Sequence, residues 1–309
     1  MHRLRRLAFS LVTIGGVAGT ASGHDLHGAR DAPPGWTWDP WIIVPLLVSA
    51  ALFLMGWREL ASRSVQGMPA LKRRLVLFTS GWLTLVASLV SPLHEAGERS
   101  FAAHMFEHEL LMLLAAPFLV LSGPLVIMLW AFPARGRRGI GGLTRSPAVS
   151  TIWSRLTEPI TATLIQAAAL WGWHAPMLFD LALANEGWHA VQHLSFLVSA
   201  LLFWTAMIGP RGGRSSAPAA RGLSALCLFA TSVVSGALGA LMAFSASPWY
   251  LGYARLGMAP FGLTPAEDQQ LAGLIMWIPG GLVHAGAALA LVATLLRTPA
   301  RVEAATDAL

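Results

Sequence analysis

An all-α, polytopic transmembrane helical bundle with about seven spans after an N-terminal signal sequence is the fold class this chain predicts, on three observations. Of its 309 residues, 55% are hydrophobic and only 12% charged, about half the charged share of ordinary soluble domains. The apolar residues gather into runs close to the roughly 20 positions that a membrane helix needs. Lysine and arginine, 21 in all, crowd every second connection between those runs, as they do in the cytoplasmic loops of multi-pass proteins. The net charge of +6 therefore belongs to topology and membrane lipid, and nucleic acid is set aside as a partner.

In chain order, residues 1–23 combine a basic start, a short apolar centre from Leu7 and a small-residue end, Ala21-Ser22-Gly23. These are the parts of a secretory signal peptide, with an uncleaved anchor helix as the alternative. Cleavage after Gly23 would expose His24 and His27 beside a free amine, a weak copper-binding end or a merely solvated one. Residues 24–40 form an external segment rich in Pro and Trp. The seven-helix domain, 41–297, opens with a span at 41–57. Basic residues from Arg58 to Arg74 follow, then a second span at 75–90, stopped by Ser91-Pro92 because proline and its predecessor resist helix continuation.

The third span, 104–131, carries Pro117 and Gly123-Pro124 as kink points. Arg135, Arg137, Arg138, Arg145 and Arg155 fill the next connection. The fourth span is expected over 159–179, the fifth over 188–208, the sixth over 222–244 and the seventh over 271–296, ahead of a cytoplasmic tail at 298–309. The positive-inside rule then puts the mature N-terminus outside and the C-terminus in the cytoplasm. Thirteen Trp against two Tyr, several at run ends, fit an interfacial belt.

Two matching motifs stand out, His104-Met-Phe-Glu-His108 and His189-Ala-Val-Gln-His193. Residues four apart share one helix face, so each pair aims two imidazoles at one point. His94 precedes the first pair and His174 the second. All six fall in or next to the external connections, whereas His284 lies about thirteen residues into the seventh span, on the order of 20 Å deep at 1.5 Å per residue.

Imidazole ligates copper and zinc readily. Cys227 is the single cysteine, so a disulfide, a CxxC pair and a thiolate cluster are excluded. Soft-ligand character would come from Met105, Met112, Met177 or Met242, which modestly favours copper. His284 reads as a ligand or as a helix-packing hydrogen bond. Asp268 reads as a carboxylate orienting a ligand histidine or as a cap on the seventh helix. No hydrolytic motif is present: His94-Glu95 is followed three places on by Glu98, and His108-Glu109 by Met112, so HExxH fails, and GxSxG and a phosphate loop are absent. The reading is of a non-enzyme.

Ser-Pro-Leu-His94, His104 to His108 with the following Ala-Pro117 and Ser-Gly-Pro124, Trp-His174-Ala-Pro176, His189 to His193, and Asp268-Gln with Gly273-Leu-Ile-Met-Trp277-Ile-Pro-Gly together resemble the CtaG-type cytochrome c oxidase assembly proteins of bacteria, the branch associated with caa-type oxidases. The resemblance covers roughly 41–296. It implies about seven spans in the bacterial cytoplasmic (inner) membrane, cytochrome c oxidase subunits as partners and a part in maturing the oxidase at its copper centres. It also implies that His104, His108, His174, His189, His193 and Asp268 match characteristic positions. The expected activity is that of a metallochaperone, binding copper through the external histidines and aiding its insertion. A bis-histidine haem protein for electron transfer, or a proton or ion pathway through the clusters and His284, are the other readings.

Overall fold

A computed structural model describes residues 33–63, 66–209 and 218–306, with side chains as far as Leu296. The expected signal sequence, with His24 and His27, lies outside the described residues. Among the described residues all regular structure is helical.

Two long helices come first, α1 (Pro40–Arg63) and α2 (Met68–Leu89), and a short α3 (Pro92–Arg99) lies across the end of α2, bent from it by 44°. Ser91 stops the one and starts the other. Its hydroxyl accepts from Leu93 N at 3.2 Å, and Pro92 takes a first-turn position where its missing N–H costs nothing. With His94, Glu95, Glu98 and Arg99 in eight residues, α3 is too polar for a bilayer interior and is read as lying off the end of the span.

Helix α4 (Phe101–Glu109) runs on through a π-helical stretch, Leu110–Ala115, into α5 (Ala116–Ser122). Proline explains the widened turn. Ala116 N reaches back to Leu111 O, and Pro117 has no N–H to offer the carbonyl of Met112. Trp204 Nε1 donates to that carbonyl instead, at 2.8 Å, so a broken backbone ladder becomes an interhelical tie. The third span expected over 104–131 ends earlier, at Gly123, whose φ of +58° puts it in the left-handed region. A short α6 (Pro124–Met128) follows. The arginine-rich connection is not an irregular loop but two exposed helices, α7 (Ala134–Thr144) and α8 (Pro147–Leu156).

The expected fourth span, 159–179, is divided. α9 (Pro159–Trp173) stops after 15 residues with His174 as its C-cap, and Pro176 opens a separate α10 (Pro176–Ala184). Ala175 precedes that proline and takes extended geometry, as its position demands. Three helices complete the bundle with one short connector: α11 (Glu186–Ile208), α12 (Pro218–Ala243), the short α13 (Leu251–Leu256) and α14 (Pro265–Thr306). Among the described residues five segments are long and apolar enough to cross a membrane, and α2 with α3 makes a sixth. The chain is therefore a multi-pass helical membrane protein, with α9 shorter than an ordinary span.

Glycines set the closest helix approach. A Cβ built on Gly273 of α14 would lie 2.5 Å from Gly239 O of α12, and one on Gly239 would lie 2.7 Å from Gly273 O. Backbone touches backbone there, as in small-residue crossings within membranes. Gly273→Ala is expected to destabilise the protein by about 2 kcal/mol through overpacking. Gly286→Ala, on the same helix with nothing within 4 Å of its Cβ, should be neutral or slightly stabilising. Thermal unfolding of the two variants in detergent separates packing from propensity.

Candidate metal centre

Both HxxxH helices begin in the same way. Ser100 caps α4 by accepting from Ala103 N at 3.3 Å, and Asn185 caps α11 by accepting from Trp188 N at 3.1 Å. The histidines then fall four and eight residues after each cap, His104 and His108 on one helix and His189 and His193 on the other. Equal offsets from two caps bring the four rings to one level: His104 lies 5.1 Å from His189 and 5.8 Å from His193, and His108 lies 4.8 Å from His193, between ring centroids.

The upstream histidines cross over. Sequence pairs His94 with the first motif and His174 with the second, but the His94 ring stacks on His189 at 5.3 Å and sits 5.6 Å from His193. His174 turns to the first helix, its Nε2 3.3 Å from Met105 Sδ, while its Nδ1–H donates to Leu170 O. His94, His104, His108, His189 and His193 thus form one cluster, with His174 and the thioether of Met105 at its flank. Met242 is buried against Tyr250, and Met177 is exposed.

A carboxylate inside the first motif organises the cluster. Glu107, fully buried, accepts from His94 Nδ1–H at Oε1, 2.8 Å. The same oxygen lies 3.1 Å from His193 Nε2, near enough for an ion pair but without hydrogen-bond geometry. His193 has already given Nδ1–H to His189 O at 3.1 Å, so in a neutral ring Nε2 is an acceptor without a partner beside the carboxylate. Two acceptors this close are favourable only with a cation, proton or metal, bound to them. Donor atoms of His94, Glu107 and His193 fall within 4.8 Å of one another.

The surrounding acceptors make the same demand. Both ring nitrogens of His104 and of His108, Nε2 of His189, Oε2 of Glu107 and both amide atoms of Gln192 are buried without a hydrogen-bond partner. Each such group costs about 1–3 kcal/mol when left unmade. A bound cation would recover the share owed to the carboxylate and to the one lone-pair nitrogen of each neutral ring, leaving the ring and amide N–H groups as donors, and neutral imidazoles are the form that ligates.

Off the spans, the charges around α3 act on its own groups. Burial opposes the charged form of His94, but the hydrogen bond and attraction of Glu107, with Glu98 and Asp39, outweigh it and raise its pKa. Burial raises the Glu98 carboxyl above its ordinary value, His94 and Arg99 opposing. A cavity of about 560 Å³ opens on His94, His189 and His193 between α1 and α11, with Asp39, Glu95, Glu98 and Glu186 among its lining and Leu46 and Leu197 deeper in.

Asp268 bonds to the start of α4, and not to a histidine or to the N-terminus of its own helix. Its Oδ2 accepts from Phe101 N at 2.7 Å, and its Oδ1 accepts from Ser100 Oγ at 2.8 Å and Ala102 N at 3.3 Å. It caps α4, the first HxxxH helix, from across the bundle. The start of α14 is held by Thr264 and Glu267, whose side chains bond reciprocally to each other's backbone N–H as a capping box. His284 stands apart from the cluster: its ring stacks on Trp204 at 5.6 Å, and its Nδ1–H donates to Gly280 O.

Over residues 51–298 the sequence matches the family model described as cytochrome c oxidase caa3 assembly factor. The chain belongs to that family. Among curated relatives of this assembly factor, an uncharacterized protein of Mycobacterium bovis is 29% identical over 249 residues, 78% of this chain and 36% of its own length. One from Mycobacterium tuberculosis gives the same figures, and one from Mycobacterium leprae is 26% identical over 213 residues, 66% of this chain and 31% of its own. The chain thus spans about a third of the length of these relatives. No solved structure matches.

Glu107 and Gln192 were missed when the motifs were read as histidine pairs alone. The signal was present for Glu107, since it lies three residues after His104 and so shares that face in an otherwise apolar run.

Proposed function

We propose that this assembly factor binds copper at the His94–Glu107–His193 centre, with His104, His108 and His189 as exchange ligands, and passes it to a cytochrome c oxidase subunit in the same membrane. The observation that carries the reading is His193 Nε2 held 3.1 Å from a fully buried carboxylate oxygen without a hydrogen bond to it, amid imidazole nitrogens that have no partner. Copper(I) is favoured over zinc because the Met105 thioether lies alongside His174 at the flank of the imidazole cluster, and soft thioether donors select copper(I). Lacking a thiolate anchor, such a site releases its ion readily. The acidic lining of the 560 Å³ cavity attracts cations toward it.

The topology that goes with this function has seven spans, α9 and α10 making up the fourth, with the centre on the outer face and the arginine-rich helices α7 and α8 in the cytoplasm.

The test is a copper(I) titration of the purified protein against a competing chelator. Wild type is expected to take up copper stoichiometrically, and the His104→Ala/His193→Ala double variant to lose the site. Unaltered uptake by that variant would remove the proposal. A reduced-minus-oxidised visible spectrum with haem bands would replace it with the electron-transfer reading.

A further inference from the structure

Further along the helix that carries the outer centre, a small, partly open cavity of about 40 Å³ is lined by Glu109, Met112, Gln166, Thr231, Ser235 and His284, among others. That is room for one ion or one water. What distinguishes it is that its polar groups present acceptors. His284 commits Nδ1–H to Gly280 O at 2.8 Å, so the other nitrogen of a neutral ring, Nε2, carries a lone pair. Thr231 and Ser235 donate their hydroxyl hydrogens to Cys227 O and Thr231 O, at 2.9 and 2.8 Å. The Gln166 amide sends an N–H toward Met112 Sδ at 3.5 Å.

Two polar atoms here have no partner at all. Glu109 Oε2 and Gln166 Oε1 are buried without a hydrogen bond, on residues only 9% and 7% exposed. A carboxylate without a counter-charge inside a membrane helix is costly and marks a functional site by default. Glu109 ends α4, and the π-helical stretch begins at the next residue. Glu109 and Met112, three residues apart, are both buried, and π-helical turns recur at functional positions.

We propose that this cavity is a second, inner cation site, taking a single copper ion through the Glu109 carboxylate, His284 imidazole, Met112 thioether and Gln166 amide oxygen. Carboxylate, imidazole and thioether together suit a soft-to-borderline metal better than an alkali ion, for which a thioether is no ligand. The inference rests on the outer-centre reading for its cargo. Glu107 and His108 face the outer centre while the next residue faces the inner one, so α4 carries ligands for both and offers an ion a route from one to the other.

Copper(I) titrations separate the two sites. Wild type in detergent is expected to bind two equivalents, the His104→Ala/His193→Ala variant one, the Glu109→Gln/His284→Phe variant one, and the fourfold variant none. Where a variant fails to fold, copper-edge X-ray absorption of the outer-site variant keeps the question open to decision. A sulfur scatterer should appear there and vanish in Met112→Leu, which preserves volume. One equivalent in wild type that is lost with the outer pair would overturn the inner site and leave the outer standing. One equivalent lost only with Glu109→Gln/His284→Phe would do the reverse. Two equivalents undiminished by Glu109→Gln/His284→Phe, or no sulfur signal, would also overturn the inner site.

Discussion

Asp268→Ala is expected to destabilise the protein by about 3 kcal/mol or more, the largest effect of any single truncation outside the ligand set. The carboxylate is 3% exposed and accepts from three donors of another helix, Ser100 Oγ, Phe101 N and Ala102 N. Removing it leaves buried donors unmade at about 1–3 kcal/mol each, and takes a negative charge from the positive end of the α4 dipole. Asp268→Asn should fall between, because one of its two acceptor atoms becomes an N–H donor facing other donors. Glu267→Ala is the control. It loses one side of an exposed capping box on α14, worth about 1 kcal/mol. Thermal unfolding in detergent gives the order, and copper uptake should fall with Asp268→Ala because the His104 turn begins at the lost cap. Equal melting points for Asp268→Ala and Glu267→Ala would sink the cross-bundle role.

Much of the bundle was legible because lipid imposes long apolar runs, and α1, α11, α12 and α14 fall where the runs do. What was not legible follows from local chemistry that hydropathy ignores. Pro176 divides the fourth run, and Gly123 ends the third early, since each fixes backbone geometry without changing apolar character. The arginine-rich connection folds into α7 and α8, short helices with no buried residue, which a reading of apolar runs passes over. At the site, the i, i+4 spacing found the four histidines of the two motifs, whose rings the structure brings together. It could not find the crossover of His94 to the second pair, which depends on how α3 lies over α11. Asp268 was likewise read as orienting a ligand histidine or capping the helix it sits on, because sequence cannot show that it reaches across the bundle to the N-terminus of α4. His284 was set apart from the outer histidines by its depth in the seventh span, but depth alone left it open between a ligand and a packing hydrogen bond.

Glu107→Gln is expected to lower metal affinity far more than metal-free stability. In the protein without metal, the single oxygen Oε1 meets both the His94 N–H and His193 Nε2. An amide oxygen in that place keeps the His94 bond and still faces the His193 nitrogen, so the variant should unfold at the same temperature as wild type or slightly below it. With copper the loss is larger. The carboxylate supplies the only negative charge among the three converging donors, and even a residue that merely orients a ligand is worth about 10–100-fold in metal affinity. Loss of a charged ligand should weaken copper(I) binding at the outer centre by about 100-fold, with the inner equivalent unaffected. Glu107→Ala should lose affinity to a similar degree and also melt lower, because it leaves His94 Nδ1–H and a void in a fully buried place. Competition titrations beside melting curves read both quantities. Retained affinity in Glu107→Gln would show that the carboxylate only positions His94 and His193, and that the ion, if bound, is held by imidazoles alone.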